Sequence, residues 1–250
     1  MSGTIHIEAI SPAVWRLEID NPPMNPLGPE MRATFMRALD EVEANDALRC
    51  LIVTGRGRAF CSGDDLKQAS GDGEDLAGFT RLMDRLEASR TPVVAAVNGW
   101  CLGGGFELAL CCDIRIASSE ARFVCAGVNV GLMASTYRLP RLIGVSRAKA
   151  MLLTGLPHDA ETAERYGLVT AVHAPAHLQE AAVALAERIA SRAPLSVEAA
   201  KRTANRAPDL SPEDAGRMLA EELDVLRQSN DHKAALEAFR ERRDPVFTRS

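Results

Sequence analysis

Trp15, Leu17 and Ile19 alternate with Arg16, Glu18 and Asp20, the period-two pattern of a strand with one wet face. Asn21-Pro22-Pro23 ends it. Over residues 30–43 the apolar positions Met31, Phe35, Met36, Leu39 and Val42 change to helical spacing. Cys50-Leu51-Ile52-Val53-Thr54-Gly55 is a short apolar run closed by glycine, which predicts a strand buried on both faces. A second helix carries Leu76, Phe79, Leu82, Met83 and Leu86 on one stripe, and Val93-Val94-Ala95-Ala96-Val97 predicts another buried strand. Strand, helix, buried strand, helix, buried strand is a βαβ rhythm, so the expected class is α/β. The rhythm continues with a helix over 106–112, a strand over 113–117, a helix over 146–154 and a strand over 168–172. Beyond about Leu178 the pattern is wholly helical: 179–192 is amphipathic, Pro194 interrupts it, and three further helical stretches run to Arg243. A division near Ala193 is therefore expected, with an α/β core over 1–193 and a helical region over 194–250. The apolar stripes of that region suit packing on the core or on a neighbouring subunit.

Composition narrows the class. The 250 residues are 46% hydrophobic and 25% charged, an ordinary globular balance that excludes a disordered chain or a disulfide-stapled scaffold. A formal net charge of −5 argues against a phosphate-backbone binder, so no nucleic-acid partner is expected. The interrupted basic run Arg240-Glu241-Arg242-Arg243 reads as a solvated helix face. None of the six cysteines forms a CxxC or has a histidine at ligand spacing. They read as small buried thiols in a reducing compartment, and no metal site is expected. The first fifteen residues lack the basic start and apolar run of a signal peptide, and a cytoplasmic location is expected. Residues 92–112 carry one charge, Glu107, and are long enough to span a bilayer. Pro92, Asn98, Gly99 and the Gly103-Gly104-Gly105 triplet argue against a span. An ionised carboxylate inside one would cost roughly 2.5–3.5 kcal/mol. A buried strand, a glycine turn and a buried helix account for the segment without a membrane.

Two loops break the core pattern in the same way. Arg58-Ala59-Phe60-Cys61-Ser62-Gly63-Asp64-Asp65-Leu66-Lys67 follows the strand ending at Gly55. Asn98-Gly99-Trp100-Cys101-Leu102-Gly103-Gly104-Gly105-Phe106-Glu107-Leu108 follows the strand ending at Val97. A strand, then glycine, then a helix start leaves backbone N–H groups without intrahelical partners and aims them at one point. Two such groups converging on a carbonyl oxygen form an oxyanion hole, where one donor is worth roughly 2.7–4 kcal/mol. Close helix–strand packing is the competing explanation for each loop alone. Neither loop matches GxxxxGK[ST] or GxGxxG, and no HExxH or GxSxG occurs.

Together the two loops resemble those of the crotonase, or enoyl-CoA hydratase/isomerase, family. Further motifs carrying the likeness are residues 22–27 with Asn25, residues 51–55 and 96–113, Arg138-Leu139-Pro140-Arg141-Leu142-Ile143-Gly144, Ala238-Phe239 and residues 243–247. The resemblance implies a spiral core of repeated ββα turns and a C-terminal helical region used in trimer or hexamer assembly. It also implies an acyl-CoA thioester as ligand, with CoA entering as part of the substrate and no separate cofactor. By the same resemblance, the N–H groups of Asp64 and Gly104 would hold the thioester oxygen and stabilise an enolate. Substrate contacts are implied at Asn25, Ser62, Gly63, Asp64, Asp65, Leu66, Lys67, Gly103, Gly104 and Gly127. Residues 68–73 and 76–83 would border the acyl pocket.

Family hydratases use two glutamates. Glu107, two positions after the glycine triplet, matches the first, and its neighbours Phe106, Leu108 and Leu110 suggest an apolar setting for a general acid/base. The second is expected 20 residues later, where the sequence has Gly127. The following loop, Leu132-Met133-Ala134-Ser135-Thr136-Tyr137, lacks the usual glycine-rich pattern, and Asn129, Ser135 and Tyr137 are the polar groups left to place a water. One carboxylate suffices for double-bond isomerisation, and hydration needs another group to position water. Thioester hydrolysis, decarboxylation and an acyl-CoA-binding protein without turnover are the alternatives. Trp15, Trp100 and Tyr137 read as packing residues, Lys201 and Arg202 as solvated charges that could also meet CoA phosphates, and Asp65 as a helix cap.

Overall fold

The computed structural model describes residues 3–65 and 74–250, with the side chains of 74–76 outside the description. Leu66, Lys67, the 68–73 loop and the side chain of Leu76 therefore lie outside the described residues. Among these residues, β1 (Thr4–Ser11), β2 (Val14–Asp20), β4 (Cys50–Gly55), β7 (Val93–Val97), β9 (Ile114–Ser118) and β12 (Ala171–His173) form one sheet in that order. β1 runs antiparallel to β2, and every later neighbour is parallel. A second sheet has the order β11 (His158–Asp159), β10 (Arg122–Val124), β8 (Trp100–Leu102) and β5 (Ala59–Cys61). The short strands β3 (Pro26–Leu27) and β6 (Gly63–Asp64) pair with each other.

The chain alternates between these sheets. β4 leads to β5 and then α2 (Glu74–Glu87); β7 leads to β8 and then α3 (Gly103–Cys111). β9 leads to β10, a 3-10 turn over Ala126–Val130, and α4 (Arg138–Ile143). Each pass is a ββα turn, and successive turns stack into a spiral. β4 and β7 are buried along their whole lengths because the first sheet is covered on both faces. Side-chain alternation separates the two layers. Leu51, Val53, Val93, Ala95 and Val97 join the main core with α1 (Pro29–Ala44), α2 and α3. Cys50, Ile52, Val94 and Ala96 face the other way, against Leu178, Ala182 and Ala186 of α7 (Leu178–Ala190). The helices α8 (Pro194–Arg206), α9 (Pro212–Gln228) and α10 (Asn230–Glu241) follow. Glu198 of α8 pairs with Arg90 at 3.3 Å and with Arg249 at 2.8 Å, which ties the end of the chain to the turn before β7.

Several elements depart from the hydrophobic pattern. α3 begins at Gly103, not at residue 106, so the glycine triplet is the helix's first turn. The strand expected over 168–172 is β12 at Ala171–His173; Leu168 and Val169 are buried as turn residues after α6 (Ala160–Tyr166). Apolar character there reports burial rather than extended backbone. β1 is an edge strand with mostly exposed side chains, and β8 and β10 span three residues each, too few for a period to register.

Candidate active site

The two glycine-bearing loops meet. Gly63 has φ +92°, and a Cβ on it would lie 2.5 Å from the backbone nitrogen of Gly104. A Cβ on Gly104 would in turn lie 2.6 Å from the ring of Phe79 and 3.0 Å from Cα of Gly63. Both glycines are therefore required by close approach, and that approach brings the N-terminal turn of α3 beside β6. No side chain caps α3, whose N-cap residue is Leu102. Close helix–strand packing, one of the two explanations of these loops, is met directly by this approach.

A cavity of about 350 Å³ opens at this junction, lined by Ser62, Asp64, Gly103, Gly104, Glu107 and Gly127 together with Phe79, Met83, Leu132, Met133, Ser135 and Arg138. Asp64 lines it with its carboxylate committed elsewhere, paired with the buried guanidinium of Arg32. Arg32 is itself held by the carbonyl of Leu27 at 3.0 Å.

Glu107 is three residues beyond Gly104, which places it on the same side of α3 one turn in. Its Oε1 accepts from Nη1 of Arg138 at 2.6 Å and its Oε2 accepts from Oγ of Ser135 at 2.6 Å. The flanking Phe106, Leu108 and Leu110 turn into the core, so the carboxylate sits among polar and cationic groups rather than in the apolar setting suggested by its neighbours in sequence. Arg138 also donates from Nη2 and Nε to Oε2 of Glu87, at 2.7 and 3.1 Å, and from Nη2 to Asp84 at 3.2 Å. Burial works against the charge on Arg138, but its bonds to Glu87 and Glu107 outweigh that effect and hold the guanidinium well above its ordinary value. Ser135 is buried with φ +62°, a left-handed conformation costly for a residue with a side chain.

Gly127 lines the cavity from the 3-10 turn. A Cβ there would meet the carbonyl oxygen of Leu132 at 3.0 Å and Cα of Met133 at 3.1 Å, so the 132–134 loop closes over the place where a second carboxylate would project. Of the three polar candidates nearby, Ser135 is the one on Glu107. Asn129 donates to the carbonyl of Gly155 at 3.0 Å, and Tyr137 is exposed with its ring under the Arg141 guanidinium at 4.9 Å.

Other candidates fall away from the cavity. Asn25 is fully buried at φ +54° and its amide nitrogen donates to the carbonyls of Arg56 at 2.9 Å and Ala59 at 2.7 Å. That makes it a brace between β3 and β5, a correction to its expected place among the substrate contacts. Gly63 is buried beneath the junction and acts through the approach it permits. Lys201 is buried on Asp113 at 2.8 Å and so is not the solvated charge expected, whereas Arg202, paired with Glu222, is exposed as expected. Trp100 is exposed rather than a packing residue. Arg138 entered the sequence analysis only within the 138–144 motif, with no role of its own; an arginine at the start of a short helix carries no local sign that it faces inward.

The spiral of ββα turns is the crotonase fold, with a carboxylate lining a glycine-walled cavity one helical turn beyond Gly104. A family model described as enoyl-CoA hydratase/isomerase matches residues 9–250. The chain is 41% identical over 234 residues to (E)-benzylidenesuccinyl-CoA hydratase of Thauera aromatica, covering 90% of this chain and 91% of that protein. It is 36% identical over 233 residues to a putative enoyl-CoA hydratase of Thermus thermophilus, covering 89% and 92%. The crystal structure of enoyl-CoA hydratase from Bacillus anthracis superposes with a TM-score of 0.95 at 32% identity, over 98% of this chain and 99% of that one. The chain belongs to the enoyl-CoA hydratase/isomerase family, whose substrates are acyl-CoA thioesters.

Proposed function

We propose that this enzyme hydrates a 2-enoyl-CoA, and dehydrates the product, with Glu107 as its one acid/base. The observation carrying this reading is the pairing of Glu107 Oε2 with the Ser135 hydroxyl at 2.6 Å beside Gly104. The thioester oxygen accepts from the N–H groups of Asp64 and Gly104, which stabilises the enolate formed when the β carbon is attacked. Glu107 takes a proton from water as the oxygen bonds to the β carbon, then returns it to the α carbon. Water and enoyl thioester thus become the 3-hydroxyacyl thioester with nothing left over. Ser135 donates to Glu107 and keeps oxygen lone pairs to accept from the attacking water. Ser62 and Gly103, which line the cavity, would contact the thioester. CoA enters as part of the substrate, and each proposed step is routed through side chains and backbone groups of this chain, with no cofactor.

Isomerisation of a 3-enoyl-CoA is the second reading, favoured by Gly127 standing where a second carboxylate is expected. We further propose assembly as a homotrimer or hexamer and a cytoplasmic location, as for fatty-acid-type acyl-CoA metabolism. Phe239 at 82% exposure, Met133 at 79%, and Leu219 and Leu223 one turn apart on α9 support assembly. Six free, buried cysteines fit a reducing compartment. Among the described residues no helix is long and apolar enough to cross a membrane.

The test uses 2-enoyl-, 3-enoyl- and 3-hydroxyacyl-CoAs, with cinnamoyl-CoA included because of the benzylidenesuccinyl-CoA relative, in heavy-oxygen water with mass-resolved products. Uptake of one heavy oxygen is expected, reduced about 10²–10⁴-fold in Glu107→Gln. Bond migration without oxygen uptake would establish the second reading. Tight binding without any product would refute both.

A further inference from the structure

Glu107 is fixed by an arginine that is itself fixed, and the holder of that arginine lies on a different helix. Four hydrogen bonds leave Arg138, to three carboxylates: Glu107 on α3, and Asp84 and Glu87 on α2. With its fork spread over three acids, Arg138 has little capacity to receive an anionic group of a substrate. Any such group would approach a cluster that already carries an excess of negative charge. Its effect falls instead on Glu107, whose Oε1 it holds while the Ser135 hydroxyl holds Oε2. A turn further along α4, Arg141 pairs with Asp209, so the short helix bearing Arg138 is anchored at both ends. We infer that Glu87 and Arg138 are positioning residues: Glu87 on α2 sets the guanidinium fork, and the fork sets the Glu107 carboxylate for proton transfer. This inference rests on Glu107 being the acid/base.

Misplacing a reacting group by about 1 Å can lower a rate about 10²-fold without weakening substrate binding. Glu87→Ala is the variant of choice, because Glu87 is partly exposed at the end of α2 and alanine suits a helix. With crotonyl-CoA as probe, kcat is expected to fall about 5- to 20-fold with KM changed less than about 2-fold. Glu87→Gln, which keeps an acceptor oxygen, is expected to recover part of the loss. Arg138→Lys is expected to lower kcat at least as much, since a compact ammonium cannot span both acids. The double variant Glu87→Ala/Arg138→Lys should fall no further than Arg138→Lys alone. An unchanged kcat in Glu87→Ala, a change confined to KM, or multiplicative losses in the double variant would each overturn the inference. Crystal structures of wild type and Glu87→Ala give an arm that needs no turnover. Rotation of Arg138 away from Glu107 is expected, and an unmoved pair still at hydrogen-bond distance would overturn it. If Glu107→Gln retains wild-type turnover, the proposed function fails instead, while the structural arm still decides whether Glu87 holds Arg138.

Discussion

Gly63 and Gly104 show how little room the junction leaves for a side chain. A methyl group on Gly63 would press on the backbone nitrogen of Gly104 at a positive φ, so neither rotamer change nor local drift relieves it. Gly63→Ala is expected to cost about 1–3 kcal/mol in urea denaturation and to abolish most turnover; wild-type stability and rate together would show that the contact is not as tight as described. The thiols make a second prediction at this scale. Burial pushes Cys61 and Cys112 up to about 12, because a thiolate in the core would lose its hydration. In the unfolded chain each titrates near its ordinary value of 9.0. Below that pH both states hold the proton. Between about 9 and 12 the unfolded state releases it first, so this contribution to stability is lost as pH rises. The urea midpoint should therefore decline above pH 9, less so in Cys61→Ala/Cys112→Ala; an equal decline in both proteins would assign it to other groups. A residue-level reading singled out Glu107, Gly104 and Asp64 through the two local glycine-bearing motifs that carry the family resemblance, and all three line the cavity. It missed Arg138, whose role arises only when α2 and α3, far apart along the chain, converge on it.

At the scale of elements, the buried strands and long helices were legible because continuous apolar runs and 3.6-residue stripes state which faces are covered. The second sheet was not, since β5, β8 and β10 have three residues apiece and gain their definition from parallel neighbours, not from pattern. The 132–134 loop was equally opaque: its consequence, closure over Gly127, depends on where the chain returns. That closure makes a prediction. Gly127→Glu restores a carboxylate in sequence, but its Cβ must displace the backbone at Leu132 and Met133. The expected outcome is a loss of turnover and faster proteolysis at 131–137 rather than a two-glutamate hydratase; a rise in hydration rate would show that the loop yields easily.

For the whole molecule, sheet parity separates two hydrophobic layers around β4 and β7, while α9 has no buried residue in the isolated chain. A 17-residue amphipathic helix left so exposed is stabilised little by its own fold, which supports the proposed assembly. Light scattering should give three or six times the 26.9 kDa of one chain. Leu219→Glu/Leu223→Glu should shift that mass downward, and an undisturbed mass would move the contact elsewhere.

Glu107 and the groups around it have unequal freedom to vary. Glu107 and Gly104 belong to a helix sealed into the core, where few substitutions are tolerated. Ser135, Met133 and the stretch that closes over Gly127 belong to a short surface connection whose ends are fixed by the 3-10 turn and by α4. Under the proposed function, reaction type would therefore change through that connection alone, by exchange of a handful of residues, with the spiral and its cavity left intact. A graft of this segment into a two-glutamate relative, and the reverse exchange, would be a compact route to redirecting the enolate from one product to another.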